Sequence, residues 1–243
     1  MDWHARYTQQ AGWTRELRDY LFEKAGLAQA QRVLEVGCGT GAILSGLNTR
    51  AAIYGLDIDP VALGECRQYT PGSNLVRGNA LRLPYASESF DITFCHFLLL
   101  WVKEPLEVIR EMKRVTCREG HILALAEPDY SARQDEPAEL AKLGRLQTEA
   151  LRRQGADPAL GGRLADLFAR AGLEIIETGV MQRAGGELNA EQRELEWAVI
   201  EADLADSTSG EELQRLKRMD EAAWARGERR LYVPTYFAWG KIC

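Results

Sequence analysis

Glu35 stands two residues ahead of Gly37, and glycine returns at Gly39 and Gly41, immediately after the apolar run Val33-Leu34. A buried strand that empties into glycines brings bare backbone up to a ligand, because no Cβ stands in the way. Asp57 closes a second strand-like run, Ile53 to Leu56, and follows the loop by about 20 residues, where a carboxylate can accept hydrogen bonds from a ribose diol. Together these residues describe a nucleoside site. Their spacing selects the nucleoside. A dinucleotide loop needs G-x-G-x-x-G to seat a pyrophosphate on a helix N-terminus, whereas this loop is G-x-G-x-G with a carboxylate before it. Glu35 would repel phosphate and welcome an ammonium.

At these residues the chain resembles the class I S-adenosylmethionine-dependent methyltransferases whose first motif is written E-x-G-x-G-x-G. The resemblance is carried by Glu35, Gly37, Gly39, Gly41 and Asp57, then Gly78-Asn79-Ala80 with Leu83-Pro84, then Phe90-Asp91, and it covers residues 30 to 180. It implies a doubly wound, Rossmann-like α/β fold with a seven-stranded, mostly parallel sheet whose last strand is antiparallel. It also implies S-adenosylmethionine as cofactor. Gly37 and Gly39 would let the backbone approach the methionine part, with Cys38 and Gly41 in the same cofactor-binding loop; Glu35 would offer charge near the ammonium or order the loop through hydrogen bonds, Asp57 would take the ribose and Ile58 the adenine. The family places an acidic residue in a G-D-A pattern to accept from the adenine amino group. Here Asn79 fills that position beside Ala80, and its amide oxygen can still accept. Cys95, at a strand end, is expected to pack near the cofactor.

A sulfonium methyl is already activated, so such an enzyme mostly aligns the nucleophile, and a base is needed only if the acceptor starts protonated. Ligands of an open α/β sheet bind beyond the carboxyl ends of its strands, which nominates His96, Glu127 and Tyr130 as catalytic candidates. His96 as a satisfied core histidine and Glu127-Pro128-Asp129 as a cap remain the alternatives. The expected reaction is transfer to an oxygen or nitrogen of a small molecule. Rival readings are an RNA or protein methyltransferase, a binding protein without turnover, and a dinucleotide oxidoreductase that the glycine spacing disfavours.

Elements able to position these residues alternate along the chain. Strands are expected at Arg32 to Val36, Ile53 to Asp57, Asn74 to Val76, Phe90 to His96, Ile122 to Ala126, Leu173 to Gly179 and Leu231 to Trp239. A helix should open near Thr40, another behind the Asp59-Pro60 cap, and another at Pro105 with Leu106, Ile109 and Met112 on one face. Further helical stretches run from Pro137 to Arg153 and from Leu160 to Ala171.

The chain reads as one domain with additions. Residues 1–29 place Trp13, Leu17, Tyr20 and Leu21 at helical spacing, as a lid over the core of residues 30–180. Residues 185–230 hold two helices, the second opened by Ser209-Gly210-Glu211-Glu212 in capping-box order, and are expected to cover the acceptor. Residues 231–243 supply the final strand.

At 243 residues, with 46% hydrophobic and 27% charged, the chain can bury a full core. It has no apolar stretch long enough to span a membrane and no signal-peptide pattern, so the expected location is cytoplasmic. The five cysteines show no C-x-x-C pair, and no metal site is expected. A net charge of −6 argues against nucleic acid as partner, although Arg226, Arg229 and Arg230 form a local basic run. Oligomeric state is left open.

Overall fold

The computed structural model describes residues 2–181 and 189–243. Five strands pair in parallel: β1 (Arg32–Val36), β2 (Ala52–Asp57), β3 (Asn74–Arg77), β4 (Phe90–Cys95) and β5 (Thr116–Pro128). A short pair, β6 (Gln134–Glu136) and β8 (Arg230–Tyr232), stands apart. β9 (Thr235–Lys241) lies antiparallel between β5 and β7 (Glu174–Met181), which gives the order β3-β2-β1-β4-β5-β9-β7. The expected seven-stranded, mostly parallel sheet with an antiparallel last strand is therefore present. The strand order reverses between β1 and β4, and their carboxyl ends open the crevice where ligands of such sheets bind.

The helices are α1 (Trp3–Trp13), α2 (Arg15–Lys24), α3 (Pro60–Tyr69), α4 (Pro105–Val115), α5 (Ala141–Arg153), α6 (Leu164–Arg170), α7 (Ala190–Leu204) and α8 (Gly210–Ala225). Asp59 caps α3 by accepting from Val61 N at 2.8 Å, and Pro60 fills the first helical turn, as their types dictate. α4 buries Val108, Ile109, Met112 and Val115 on one stripe against the sheet.

Three expectations need correction. No α-helix opens at Thr40; a single 3-10 turn, Leu44–Gly46, takes its place. Gly46, Asn48 and Thr49 are poor helix formers, and little chain is left between Gly41 and β2, so the apolar Ile43 and Leu44 dock without a helix. The run Leu231 to Trp239 is two strands, broken at Pro234, and only the second joins the main sheet. The N-terminal helix is likewise two, α1 and α2. Leu21 and Phe22 enter the core, whereas Tyr20 faces outward, 42% exposed, and donates to Glu177.

α7 and α8 pack on α5 through Leu143, Trp197, Ile200, Leu213 and Leu216. Residues 185–188 of that expected segment lie outside the described residues. Ser209 caps α8 by accepting from Glu212 N. The basic run is not a patch. Arg229 is buried, bonding Asp220 and Asp135, while Arg226 pairs with Glu228 and Arg230 with Glu136. Among the described residues, no helix is long and apolar enough to cross a membrane.

Candidate functional site

The glycine loop is held by β2. Gly37 N and Cys38 N both donate to Leu56 O, at 2.7 and 3.0 Å, and Gly39 N donates to Asp57 Oδ2 at 2.7 Å. Gly37 has φ +75°, a conformation that favours glycine, and a Cβ there would also displace the Leu98 side chain, whose Cδ1 would lie 2.7 Å away. Gly41, at φ +82°, lets Cys66 of α3 and Thr70 at its C-terminal cap approach the loop, and its role is packing.

Above this loop lies a cavity of 390 Å³ whose walls include Glu35, Gly37, Cys38, Gly39, Asp57, His96 and Tyr130. Seven of the expected residues thus share one space. Glu35 is buried, and its Oε2 has no hydrogen-bond partner among the described residues. Burial pushes its carboxyl pKa well up, helped by the Cys66 thiol and the Asp57 carboxylate and opposed by the Arg18 guanidinium. A carboxyl in this state is suited to a cationic guest.

The other expected cofactor residues stand elsewhere. Ile58 is 64% exposed, at a strand end beside β3; Asn79 is exposed, with its Oδ1 accepting from Leu81 N at 2.9 Å. Ala80 packs against the core and is half-buried. None of the three lines the cavity. Cys95 is fully buried in the core, because the alternation along β4 turns it away from the crevice.

The catalytic candidates separate. His96 lines the cavity, and its Nε2 lies 3.0 Å from Thr14 Oγ1. Burial and the nearby Arg18 cation lower its pKa to about 3, so it is neutral at physiological pH and a poor base. Glu127 does not line the cavity. Its Oε1 accepts from Leu98 N and Leu99 N at 3.0 and 2.9 Å, and its Oε2 from Leu100 N at 3.2 Å. It is a positioning residue that ties down the turn after β4. Burial outweighs these bonds and raises its pKa to about 7. Tyr130 remains in place at the cavity wall.

Some residues of the site escaped the sequence reading. Trp3, Arg6, Tyr7 and Gln10 line the cavity from α1 at i, i+3, i+4, i+7 spacing, so the lid face is this stripe rather than Trp13, Leu17 and Tyr20. His4 fastens the lid: its Nδ1 lies 2.9 Å from Thr40 Oγ1 and its ring stacks on Tyr69 with centroids 3.5 Å apart. The helical spacing was the available signal. Phe97 has φ +51°, rare for a side chain with a Cβ, and no sequence pattern marks such strain.

Arg6, Phe97, Tyr130 and Gln147 also line a second cavity of 150 Å³, bounded by Trp13, Trp224, Leu231 and Val233. The larger space thus shares a wall with a smaller, ring-lined one.

Residues 34–124 match the family model described as a methyltransferase domain. The malonyl-[acyl-carrier protein] O-methyltransferase of Halorhodospira halophila is 32% identical over 126 residues, which are 49% of this chain and 43% of that protein. The demethylmenaquinone methyltransferase of Renibacterium salmoninarum is 35% identical over 121 residues, 48% of this chain and 49% of its own. The chain spans about half the length of the curated relatives it matches. A solved structure from Bacillus halodurans shares the fold across 93% of this chain and 98% of its own, with a TM-score of 0.65 at 15% identity. Residues 34–124, carrying the glycine loop and the strands that end at the cavity, are thus similar to a methyltransferase domain, on a fold shared with a solved structure.

Proposed function

We propose that this chain binds S-adenosylmethionine across the Gly37-Cys38-Gly39 loop and transfers its methyl group to an oxygen or nitrogen of a small molecule seated in the adjoining cavity. The observation that carries the reading is Glu35. A buried carboxyl with an unpartnered oxygen is costly, by about 1–3 kcal/mol, unless a guest supplies the missing partner. An ammonium three atoms from a sulfonium is such a guest, and Asp57 in the same wall suits the ribose hydroxyls.

When bound, the cofactor supplies a methyl group already activated on sulfur. The work left to the chain is alignment and exclusion of water. The α1 stripe closes the loop side, while Tyr130 and Phe97 stand where the two cavities meet. The 390 Å³ volume falls in the ordinary range of cofactor sites. A small-molecule acceptor suits the 150 Å³ of the second cavity. His96, with its lowered pKa, and Glu127, turned into the fold, support a reaction that runs by alignment.

The test is methyl transfer from labelled S-adenosylmethionine to a small-molecule extract, with RNA and protein extracts as controls. Label in the small-molecule fraction supports the reading; label confined to RNA or protein overturns the acceptor assignment.

A further inference from the structure

Among the described residues that line the first cavity, Arg6 is the one arginine or lysine, and it shares that wall with the carboxyl groups of Glu35, Asp57 and Asp203. The wall otherwise suits a cation. S-adenosylmethionine is positive at its sulfonium, whereas the product S-adenosylhomocysteine carries a neutral thioether at the same place. An uncompensated guanidinium in this wall would repel the sulfonium and so favour product over cofactor.

The guanidinium is compensated from outside the cavity. Arg6 Nη1 donates to Glu196 Oε1 on α7 and to Gln9 Oε1 at 2.9 Å, and Gln9 Nε2 in turn donates to Gln192 O at 3.2 Å, so two contacts tie α1 to α7. The side chains of Arg6 and Glu196 are 6% and 17% exposed, which leaves little solvent to screen either charge. Glu196 does not line the first cavity. It stands in the wall of the second, which Arg6 also lines.

We infer that Glu196 is a positioning residue that acts through Arg6: it holds and neutralises the cation in the cofactor's wall, and thereby sets the site's preference for the sulfonium cofactor over the thioether product. This rests on the methyltransferase reading of the first cavity.

Both charges reach Tyr130, which lines the two cavities. Burial raises its hydroxyl pKa, the Arg6 cation pulls it down, and the Glu196 carboxylate pushes it back up. Arg6 is felt on the loop side as well. The Tyr7 ring lies 3.5 Å from where a Cβ on Gly39 would stand; burial and then Asp57, Asp59 and Glu65 raise the Tyr7 pKa, and Arg6 lowers it. The ion pair thus acts on the space between the glycine loop and Tyr130.

The experiment is calorimetry on the full chain, without acceptor, with S-adenosylmethionine and S-adenosylhomocysteine as separate titrants. The unsubstituted chain is expected to bind S-adenosylmethionine at least as tightly as S-adenosylhomocysteine. Glu196→Gln keeps an oxygen for Arg6 and removes the charge, and should shift the ratio of the two affinities about five-fold or more toward S-adenosylhomocysteine. Arg6→Gln removes the cation and leaves the carboxylate, and should shift the ratio about as far the other way. Glu196→Asp keeps the charge and should hold the ratio within about two-fold. A clamp that only joined two helices would weaken both nucleosides alike. A ratio left unmoved by either glutamine substitution, or moved the same way by both, overturns the inference while the cofactor reading stands. So does an unsubstituted chain that holds S-adenosylhomocysteine about ten-fold tighter than S-adenosylmethionine, a comparison that needs no variant to fold. Failure of both nucleosides to bind the unsubstituted chain overturns the methyltransferase reading, and this inference with it.

Discussion

Asp57 Oδ2 accepts the Gly39 amide at 2.7 Å, while its Oδ1 accepts from Asp59 N at 2.9 Å, so one carboxylate ties the glycine loop to the start of α3. The residue expected to hold the ribose therefore also holds the loop. Asp57→Ala removes both functions and should weaken S-adenosylhomocysteine by about 2–4 kcal/mol, more than a single charge-assisted contact is worth. Asp57→Asn keeps one acceptor oxygen and should fall between. Calorimetry with the three proteins side by side checks the order; equal affinity in all three would remove Asp57 from the site.

Glu35 makes cofactor affinity depend on pH. Its raised pKa favours the protonated carboxyl in the free protein, and an arriving ammonium favours the ionised form. Binding should therefore release a proton, and affinity should rise with pH. Titrations in two buffers of different ionisation enthalpy measure that release, and Glu35→Gln should abolish it.

The same groups set the stability of the free protein. A carboxyl whose pKa is raised on folding binds more protons folded than unfolded, so stability falls as pH climbs from the unfolded value toward the folded one. For Glu127 that window runs from 4.5 to about 7. Glu35 has the same sign. Thermal midpoints of the free chain should fall across this window, and saturating S-adenosylhomocysteine should flatten the part that Glu35 contributes.

Glu127→Gln sets an amide N–H against the Leu100 N–H, where the carboxylate had accepted. The expected cost is about 1–3 kcal/mol of stability, read as a lower urea midpoint. Because Leu98, Leu100 and Trp101 line the first cavity, cofactor affinity should fall as well. An unchanged midpoint would mean that the turn after β4 does not depend on Glu127.

Much of this was legible in the chain because the local signals and the tertiary fold agree. β1 was read with the bounds it has, and the Asp59-Pro60 cap and the Pro105 start do what their types require. The Glu35, Gly37, Gly39 and Asp57 set falls on one cavity because a strand followed by glycines has few other ways to fold. What escaped depends on tertiary contact. Nothing local says that Glu127 turns into the fold to cap a loop about thirty residues earlier in the chain, or that Cys95 falls on the far side of β4. Trp13 was expected on the lid face, and the break between α1 and α2 sends it instead to the second cavity.

The lid has a small fastening that can be cut without touching the core. Deleting residues 1–24 would strip Leu21 and Phe22 from the interior and unfold more than the lid. His4→Ala removes the Thr40 contact, a 3.5 Å contact to Thr8 within α1 and the Tyr69 stack, and should loosen cofactor retention three- to ten-fold, about 0.7–1.4 kcal/mol, with little change in thermal midpoint. A stopped-flow dissociation rate for S-adenosylhomocysteine reads this directly; an unchanged rate would mean that α1 does not gate the site.

Whether the loop after β1 holds an S-adenosyl nucleoside with its ammonium at Glu35 is read by titrating the free chain with S-adenosylhomocysteine and, separately, with NAD. S-adenosylhomocysteine is expected to bind saturably, more weakly in Glu35→Gln and Asp57→Ala, and NAD is expected not to bind. Tight NAD binding, or S-adenosylhomocysteine binding that neither substitution alters, would contradict it.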